Sequence, residues 1–61
     1  MQIGFLGLGA LGAPIAGRLA AAHPTTVWNR TGARADEFLR HHRATKAATP
    51  REAAAGADVV L

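Results

Sequence analysis

The sequence predicts an α/β fold built on a parallel sheet, because strand-like segments alternate along the chain with helical ones. The strand-like segments are short and either apolar or rich in β-branched residues, and they span residues 1–6, 25–28, 44–48 and 58–61. The helical segments span residues 10–22, 31–40 and 49–55. The predicted order is therefore β-α-β-α-β-α-β, with the weakest pattern in the third strand and with a fourth strand that is cut short.

The spacing of apolar residues predicts which face of each helix packs on the sheet. In the first helix these residues are Leu11, Ile15, Leu19 and Ala22. In the second helix they are Ala35, Phe38 and Leu39. Pro14 falls near the end of the first turn of the first helix, where a missing N–H costs little, so it is compatible with a helix start.

Residues typical of helix ends support these boundaries. Thr31 is predicted to cap the second helix. Thr49, Pro50 and Glu52 form a helix-start pattern, with a capping hydroxyl, a proline at the first helical position and a carboxylate three residues after the cap. Gly56 is then predicted to end the third helix.

The composition excludes several classes of protein. The chain has 61 residues, enough for one small domain or part of one, and no cysteine, which excludes disulfides and cysteine-based zinc sites. Its three histidines lack the spacing of a metal pair on one helix face, so no metal is expected. No apolar run approaches the roughly 18 residues of a membrane span, and no basic segment precedes the first apolar stretch as in a signal peptide. We therefore expect a cytoplasmic protein with no membrane partner.

The basic residues are concentrated in the second half of the chain. The net charge is +3, and six of the seven basic residues lie between Arg30 and Arg51. They are scattered and match no nucleic-acid-binding motif, so we interpret most of them as a solvated surface and expect no nucleic-acid partner. His41, His42 and Arg43 follow the second helix, where positive charge suits the negative end of the helix dipole, and we prefer that role to a catalytic one.

A glycine-rich segment after the first strand is the main candidate for a ligand-binding motif. It has the spacing G-x-G-x-x-G, in which the first glycine allows a tight turn, the second close approach of a pyrophosphate and the third close helix–strand packing. The spacing alone is a weak signal, but here it follows a strand, opens a helix and lies in a βαβ unit of about 30 residues. We therefore predict a partial Rossmann-type sheet that binds a dinucleotide. The predicted binding residues of this loop are Gly7, Leu8, Gly9, Ala10, Leu11 and Gly12.

The end of the second strand predicts which dinucleotide is bound. Enzymes that use NAD usually place an acid there for the ribose hydroxyls, whereas this chain has Asn29, Arg30 and Thr31. The next carboxylate, Asp36, is expected inside the second helix. A guanidinium can pair with a 2′-phosphate, and the two neutral side chains can add hydrogen bonds, so NADP is favoured over NAD. The alternative is that Arg30 is only solvated and that the site accepts both cofactors.

Three stretches, IGFLGLGALGAPIAGRLA, VWNRT and TPREAAAGADVVL, together resemble the start of the β-hydroxyacid dehydrogenase family. That family includes 3-hydroxyisobutyrate and 6-phosphogluconate dehydrogenases and the related imine reductases. The resemblance implies NADP-linked oxidation of a small hydroxy acid, or the reverse reduction, with the cofactor on the glycine loop and residues 29–31. The chain departs from the family pattern at Leu11, Ile15, Arg18, Ala22 and Arg43.

The resemblance also implies what residues 1–61 would lack. In this family the substrate-binding segment, the catalytic lysine and a helical second domain follow the fourth strand, and Lys46 matches no catalytic motif. Residues 1–61 are therefore expected to be the first part of an NADP-binding domain and to be inactive alone. The small-molecule substrate is expected to bind only to the full-length protein, which could also form a homo-oligomer. The apolar strand at Val59, Val60 and Leu61 predicts poor folding or self-association of the isolated segment.

A second function class stays open at this point. Rossmann units host many functions, so a non-catalytic module that senses a nucleotide or binds a partner is the alternative to an oxidoreductase. A helical domain with a lysine downstream would favour the enzyme.

Overall fold

A computed structural model describes residues 1–61 and confirms the predicted α/β order. Its strands are β1 (Ile3–Leu6), β2 (Thr25–Trp28), β3 (Thr45–Lys46) and β4 (Val59–Val60). Its helices are α1 (Gly12–Ala22), α2 (Gly32–Leu39) and α3 (Pro50–Ala54). All strand pairings are parallel, so the structure is a partial Rossmann-type sheet, as the sequence predicts.

The strand order is β3-β2-β1-β4, which places β1 between two neighbours. β1 pairs with β2 along its whole length, from Ile3 opposite Thr25 to Leu6 opposite Trp28. On its other side, Ile3 lies opposite Val59 of β4. The chain therefore moves away from β1 through β2 and β3, and then crosses to the far side of β1. In open α/β sheets, ligands bind in the crevice at the carboxyl ends of the strands where the order reverses in this way.

Helices cover both faces of the sheet. On one face α1 and α2 bury a single apolar cluster made of Phe5, Leu8, Ala16, Val27, Ala35 and Phe38. On the other face α3 lies directly on β1, and a Cβ at Gly4 would collide with the carbonyl oxygen of Ala53. The strand β1 is therefore packed tightly from both sides at its centre.

The predicted core-facing stripe of α1 is wrong at three of its four positions and is confirmed in part at Leu19. Leu11 is 84% exposed and Ile15 is 52% exposed, while Ala22 is also exposed and Leu19 is half-buried. The buried face of the helix instead consists mainly of small residues at helical spacing, which are Ala13, Ala16, Gly17 and Ala20. Leu11 and Ile15 therefore lie outside the apolar cluster, whereas the half-buried Leu19 packs against it. The corresponding prediction for α2 is confirmed, with Ala35 and Phe38 buried.

The helix ends use the predicted residues in partly different ways. The Glu52 N–H donates to the Thr49 hydroxyl at 3.1 Å, and Glu52 Oε2 accepts from the Ala48 N–H, one residue before the cap. Gly56 has a φ of 76° just after the end of α3, as expected for a left-handed helix stop. Thr31 occupies the cap position of α2 but makes no side-chain capping bond.

The two adjacent histidines follow α2 as predicted, and their rings have different surroundings. The His42 ring stacks on Phe38 with a centroid distance of 4.4 Å. It also lies against Gly17 of α1, where a Cβ would come within 2.7 Å of the ring. The His41 ring lies 3.3 Å from a carboxylate oxygen of Glu37, and both histidines are partly open to solvent. His42 is therefore a packing residue between α1 and α2. No helix of the structure is both long and apolar enough to cross a membrane.

We predict that Gly12→Ala lowers the free energy of unfolding by about 1–3 kcal/mol, because the new Cβ would collide with the backbone oxygen of Gly7 and lie 3.3 Å from the Phe5 ring. Chemical denaturation of the full-length protein would measure the change. Gly9→Ala is the matched control, since a Cβ there meets no protein atom within 4 Å and φ is not positive. Equal stability of the two variants would contradict the packing role assigned to Gly12.

Candidate functional site

The glycine loop joins the carboxyl end of β1 to the start of α1. Gly7 has a φ of 96°, which residues other than glycine rarely adopt, so it makes the predicted turn out of the strand. Backbone bonds hold the end of β1 on both sides. The Gly7 N–H donates to the Trp28 carbonyl at 2.8 Å, and the Leu6 N–H donates to the Leu61 carbonyl at 2.8 Å. The loop therefore leaves the sheet between β2 and β4, at the point where the strand order reverses.

The loop presents a row of backbone N–H groups without acceptors in the chain. The N–H groups of residues 9–12 have no hydrogen-bond acceptor, whereas the Ala13 N–H bonds the Gly9 carbonyl at 3.0 Å. These groups lie at the amino end of an 11-residue helix, where the helix dipole adds partial positive charge. Such an end favours a bound anion, and phosphate groups are the usual occupants.

The glycines of the loop have separable roles. Gly12 is a packing residue, because a Cβ there would collide with the Gly7 backbone. Gly9 is exposed and has no protein atom near the position of its missing Cβ, so the packing of this chain does not require a glycine there. The lack of a side chain at Gly9 instead leaves open access to the backbone N–H groups. A diphosphate can approach the loop at this position, and the residues present therefore fit a dinucleotide.

Leu8 and Asn29, both predicted to bind the cofactor, bond to each other. The Leu8 side chain is only 3% exposed and belongs to the apolar cluster. Its N–H donates to Asn29 Oδ1 at 2.7 Å, and Asn29 Nδ2 donates to the Thr31 carbonyl at 3.0 Å. No sequence pattern indicates this bond, because the two residues are 21 positions apart and either could serve other roles. Their direct contact with a cofactor stays a prediction.

The remaining predicted residues lie around the same edge of the sheet. Arg30 and Thr31 are exposed directly after β2, and the Arg30 guanidinium has no carboxylate partner within the chain. Asp36 forms an ion pair with Lys46 at 2.9 Å and does not pair with Arg30. That ion pair also gives Lys46 a structural contact. Ala10 and Leu11 are both exposed in the loop.

Two cavities differ in their position relative to the loop. One, of about 400 Å³, is a groove that begins at Gly9 and Ala10 and extends along α2 to Arg34 and His41. The other, of about 450 Å³, lies beyond the amino ends of the strands, beside Gln2 and His23. Since parallel sheets bind ligands at the carboxyl ends of their strands, we assign the functional site to the edge that carries the loop. The structure brings together no set of three histidine or acidic side chains suited to a metal.

Comparison with known proteins agrees with this geometry. Residues 2–61 match the family described as the NAD binding domain of 6-phosphogluconate dehydrogenase. The chain belongs to this family. It is a dinucleotide-binding domain, and the match supports a nicotinamide dinucleotide as the cofactor. The resemblance drawn from the glycine loop, the end of β2 and the stretch from Thr49 to Leu61 is thereby confirmed.

Individual relatives carry two kinds of name. An uncharacterized oxidoreductase of Shewanella frigidimarina is 45% identical over 61 residues, which are 98% of this chain and 21% of the relative. The uncharacterized oxidoreductase YfjR of Bacillus subtilis is 42% identical over 62 aligned positions, covering 100% of this chain and 21% of the relative. The human cytokine-like nuclear factor N-PAC is 41% identical over 61 residues, which are 98% of this chain and 11% of that protein. The chain thus spans about a fifth or less of these relatives.

We predict that Gly9→Ala weakens the binding of ADP by about tenfold or more, because the methyl group would stand where the diphosphate approaches the N–H groups of the loop. Calorimetric titration of the full-length protein would measure the affinity. The same variant should keep the native free energy of unfolding, so a lost affinity reports on the site and not on folding. Unchanged ADP affinity would contradict the assignment of the loop as the phosphate site.

Proposed function

We propose that this chain binds NADP in preference to NAD, as the cofactor-binding part of an oxidoreductase. In this proposal the pyrophosphate lies on the N–H groups of residues 9–12, and the 2′-phosphate pairs with Arg30. The observation that carries it is an exposed arginine without an acidic partner, directly after β2, beside a loop with unbonded N–H groups. Thr31, exposed next to Arg30, adds a hydroxyl for the same phosphate.

The preference for NADP depends on charge at the end of β2. A carboxylate there would repel a 2′-phosphate, but Asn29 is neutral and the following carboxylate, Asp36, pairs with Lys46 at 2.9 Å. A guanidinium offers a planar set of donors that matches phosphate oxygens, and such charge-assisted bonds are about twice as strong as neutral ones. The chain therefore offers an attraction for the 2′-phosphate with no acid to oppose it at that position.

The proposed reaction is hydride transfer between NADP and a small β-hydroxy acid or an imine. NADP supplies the hydride chemistry, and the residues of this chain bind and orient it. The loop N–H groups hold the diphosphate, while Arg30 fixes the adenosine end. No residue of 1–61 is assigned to proton transfer in this proposal, and Lys46 forms an ion pair with Asp36. Substrate binding and acid–base chemistry therefore belong, in this proposal, to the rest of the full-length protein.

A second candidate is a dinucleotide-binding module without catalysis. It is favoured by one observation, which is that relatives named as a cytokine-like nuclear factor are 41% identical to this chain over 61 residues. The printed name of these relatives describes a nuclear factor. The same glycine-loop unit can therefore serve a function other than turnover.

We predict that Arg30→Ala lowers the affinity for NADP by about 10- to 100-fold and leaves the affinity for NAD nearly unchanged, because only NADP carries the phosphate that the guanidinium would bind. Titration of both cofactors gives the ratio. Arg43→Ala is the matched control, since it removes the same charge from an exposed arginine beside the cavity at the opposite edge of the sheet. An unchanged NADP-to-NAD ratio in Arg30→Ala would refute the preference.

Turnover separates the two candidate functions. We predict that the full-length protein reduces NADP, seen as the absorbance of the reduced nicotinamide, with at least one member of a panel of small β-hydroxy acids, or oxidises NADPH with an imine. Saturable NADP binding without turnover on either panel would favour the non-catalytic module. Binding and turnover are measured on the same preparation, so a loss of folding cannot imitate the second result.

A further inference from the structure

We propose that Asn29 is a positioning residue that connects the phosphate-binding loop to the turn that carries Arg30. The proposal rests on the function proposed above and names a different role for Asn29 from direct hydrogen bonding to the cofactor. Its side-chain amide is the only side-chain group in the chain that bonds to the loop backbone.

Both the oxygen and the nitrogen of the Asn29 side-chain amide form hydrogen bonds within the chain. Oδ1 of Asn29 accepts from the Leu8 N–H at 2.7 Å, and this bond is part-buried. Nδ2 donates to the Thr31 carbonyl at 3.0 Å, across the residue that separates them. The backbone continues the same connection, because the Gly7 N–H donates to the carbonyl of Trp28 at 2.8 Å. Two consecutive loop N–H groups are therefore bonded to two consecutive residues at the end of β2.

The bond to Leu8 sets the boundary between bonded and unbonded groups in the loop. Leu8 is fixed from two sides, since its side chain lies in the apolar cluster and its N–H is bonded to Asn29. The unbonded N–H groups begin with the next residue, Gly9. Asn29 thus holds the loop in the conformation that presents residues 9–12 to a diphosphate.

The bond to Thr31 sets the conformation of the turn that contains Arg30. Arg30 lies between the two residues joined by this bond, and no other side-chain bond of the structure restrains it. The Asn29 amide therefore fixes the position of the loop N–H groups relative to the turn that carries Arg30. An aspartate could still accept from Leu8, but it could not donate to the Thr31 carbonyl and would place two oxygens against each other. An alanine would lose both bonds.

The test is a titration of the full-length protein with two separate probes, ADP for the diphosphate subsite and adenosine 2′-monophosphate for the Arg30 subsite. In Asn29→Ala we expect the affinities for both probes to fall by about tenfold, as for the loss of an ordinary hydrogen bond at each subsite. In the matched variant Arg30→Ala we expect only adenosine 2′-monophosphate to bind more weakly. If Asn29→Ala weakened adenosine 2′-monophosphate alone, a direct contact with the 2′-phosphate would replace the proposal.

Hydrogen exchange of the Leu8 amide reports on the bond itself. We expect this amide to exchange about tenfold faster or more in Asn29→Ala, and to stay protected in Asn29→Asp, whose carboxylate still accepts, and in Arg30→Ala. Unchanged exchange in Asn29→Ala would overturn the proposal. If Asn29→Ala does not fold, loss of Leu8 protection in the aspartate variant would overturn it and retained protection would support it. A native protein that binds neither probe, while its Leu8 amide responds as expected, would refute the proposed function and leave the bond in place.

Discussion

The backbone of α1 can lie against the end of β1 only because position 12 carries no side chain. A Cβ there would collide with the Gly7 carbonyl oxygen, so any larger residue would push the first turn of the helix away from the strand. This close approach places the amino end of the helix directly above the carboxyl end of the central strand. The sheet order then adds β2 on one side and β4 on the other, so the unbonded N–H groups of residues 9–12 open into the crevice between them.

Other small residues are also required because neighbouring elements lie close to the backbone. Gly4 lies under the carbonyl of Ala53, and Gly17 lies against the His42 ring. The buried face of α1 consists mainly of alanines and a glycine, with the half-buried Leu19 beside them. Leu11 before the helix and Ile15 within it are exposed. The helices thus pack mainly through backbone proximity and the two phenylalanines, Phe5 and Phe38, provide the largest buried side chains of the apolar cluster.

Local signals made most of the fold predictable from the sequence. The strand at Thr25–Trp28 and the helix start at Thr49 and Pro50 follow from residues whose preferences act within a few positions. The core face of α1 is less predictable, because a stripe of large apolar residues is the usual mark of the buried side of a helix, whereas here mainly small residues pack. The glycine loop and its place were predictable from spacing and context, whereas the bond between Leu8 and Asn29 was not, since it joins residues 21 positions apart and depends on their exact placement in space.

The open space at Gly9 distinguishes two constraints that often require a glycine at the same position, which are the packing of the fold and the access of a ligand to the backbone. The packing of this chain leaves room for a Cβ at position 9, whereas it forbids one at Gly12. In a lineage that kept the fold but stopped using the nucleotide, position 9 would be free to drift while position 12 would not. Among homologous sequences, glycine kept at both positions would indicate that cofactor binding was retained. Glycine kept at position 12 alone would indicate that only the fold was retained.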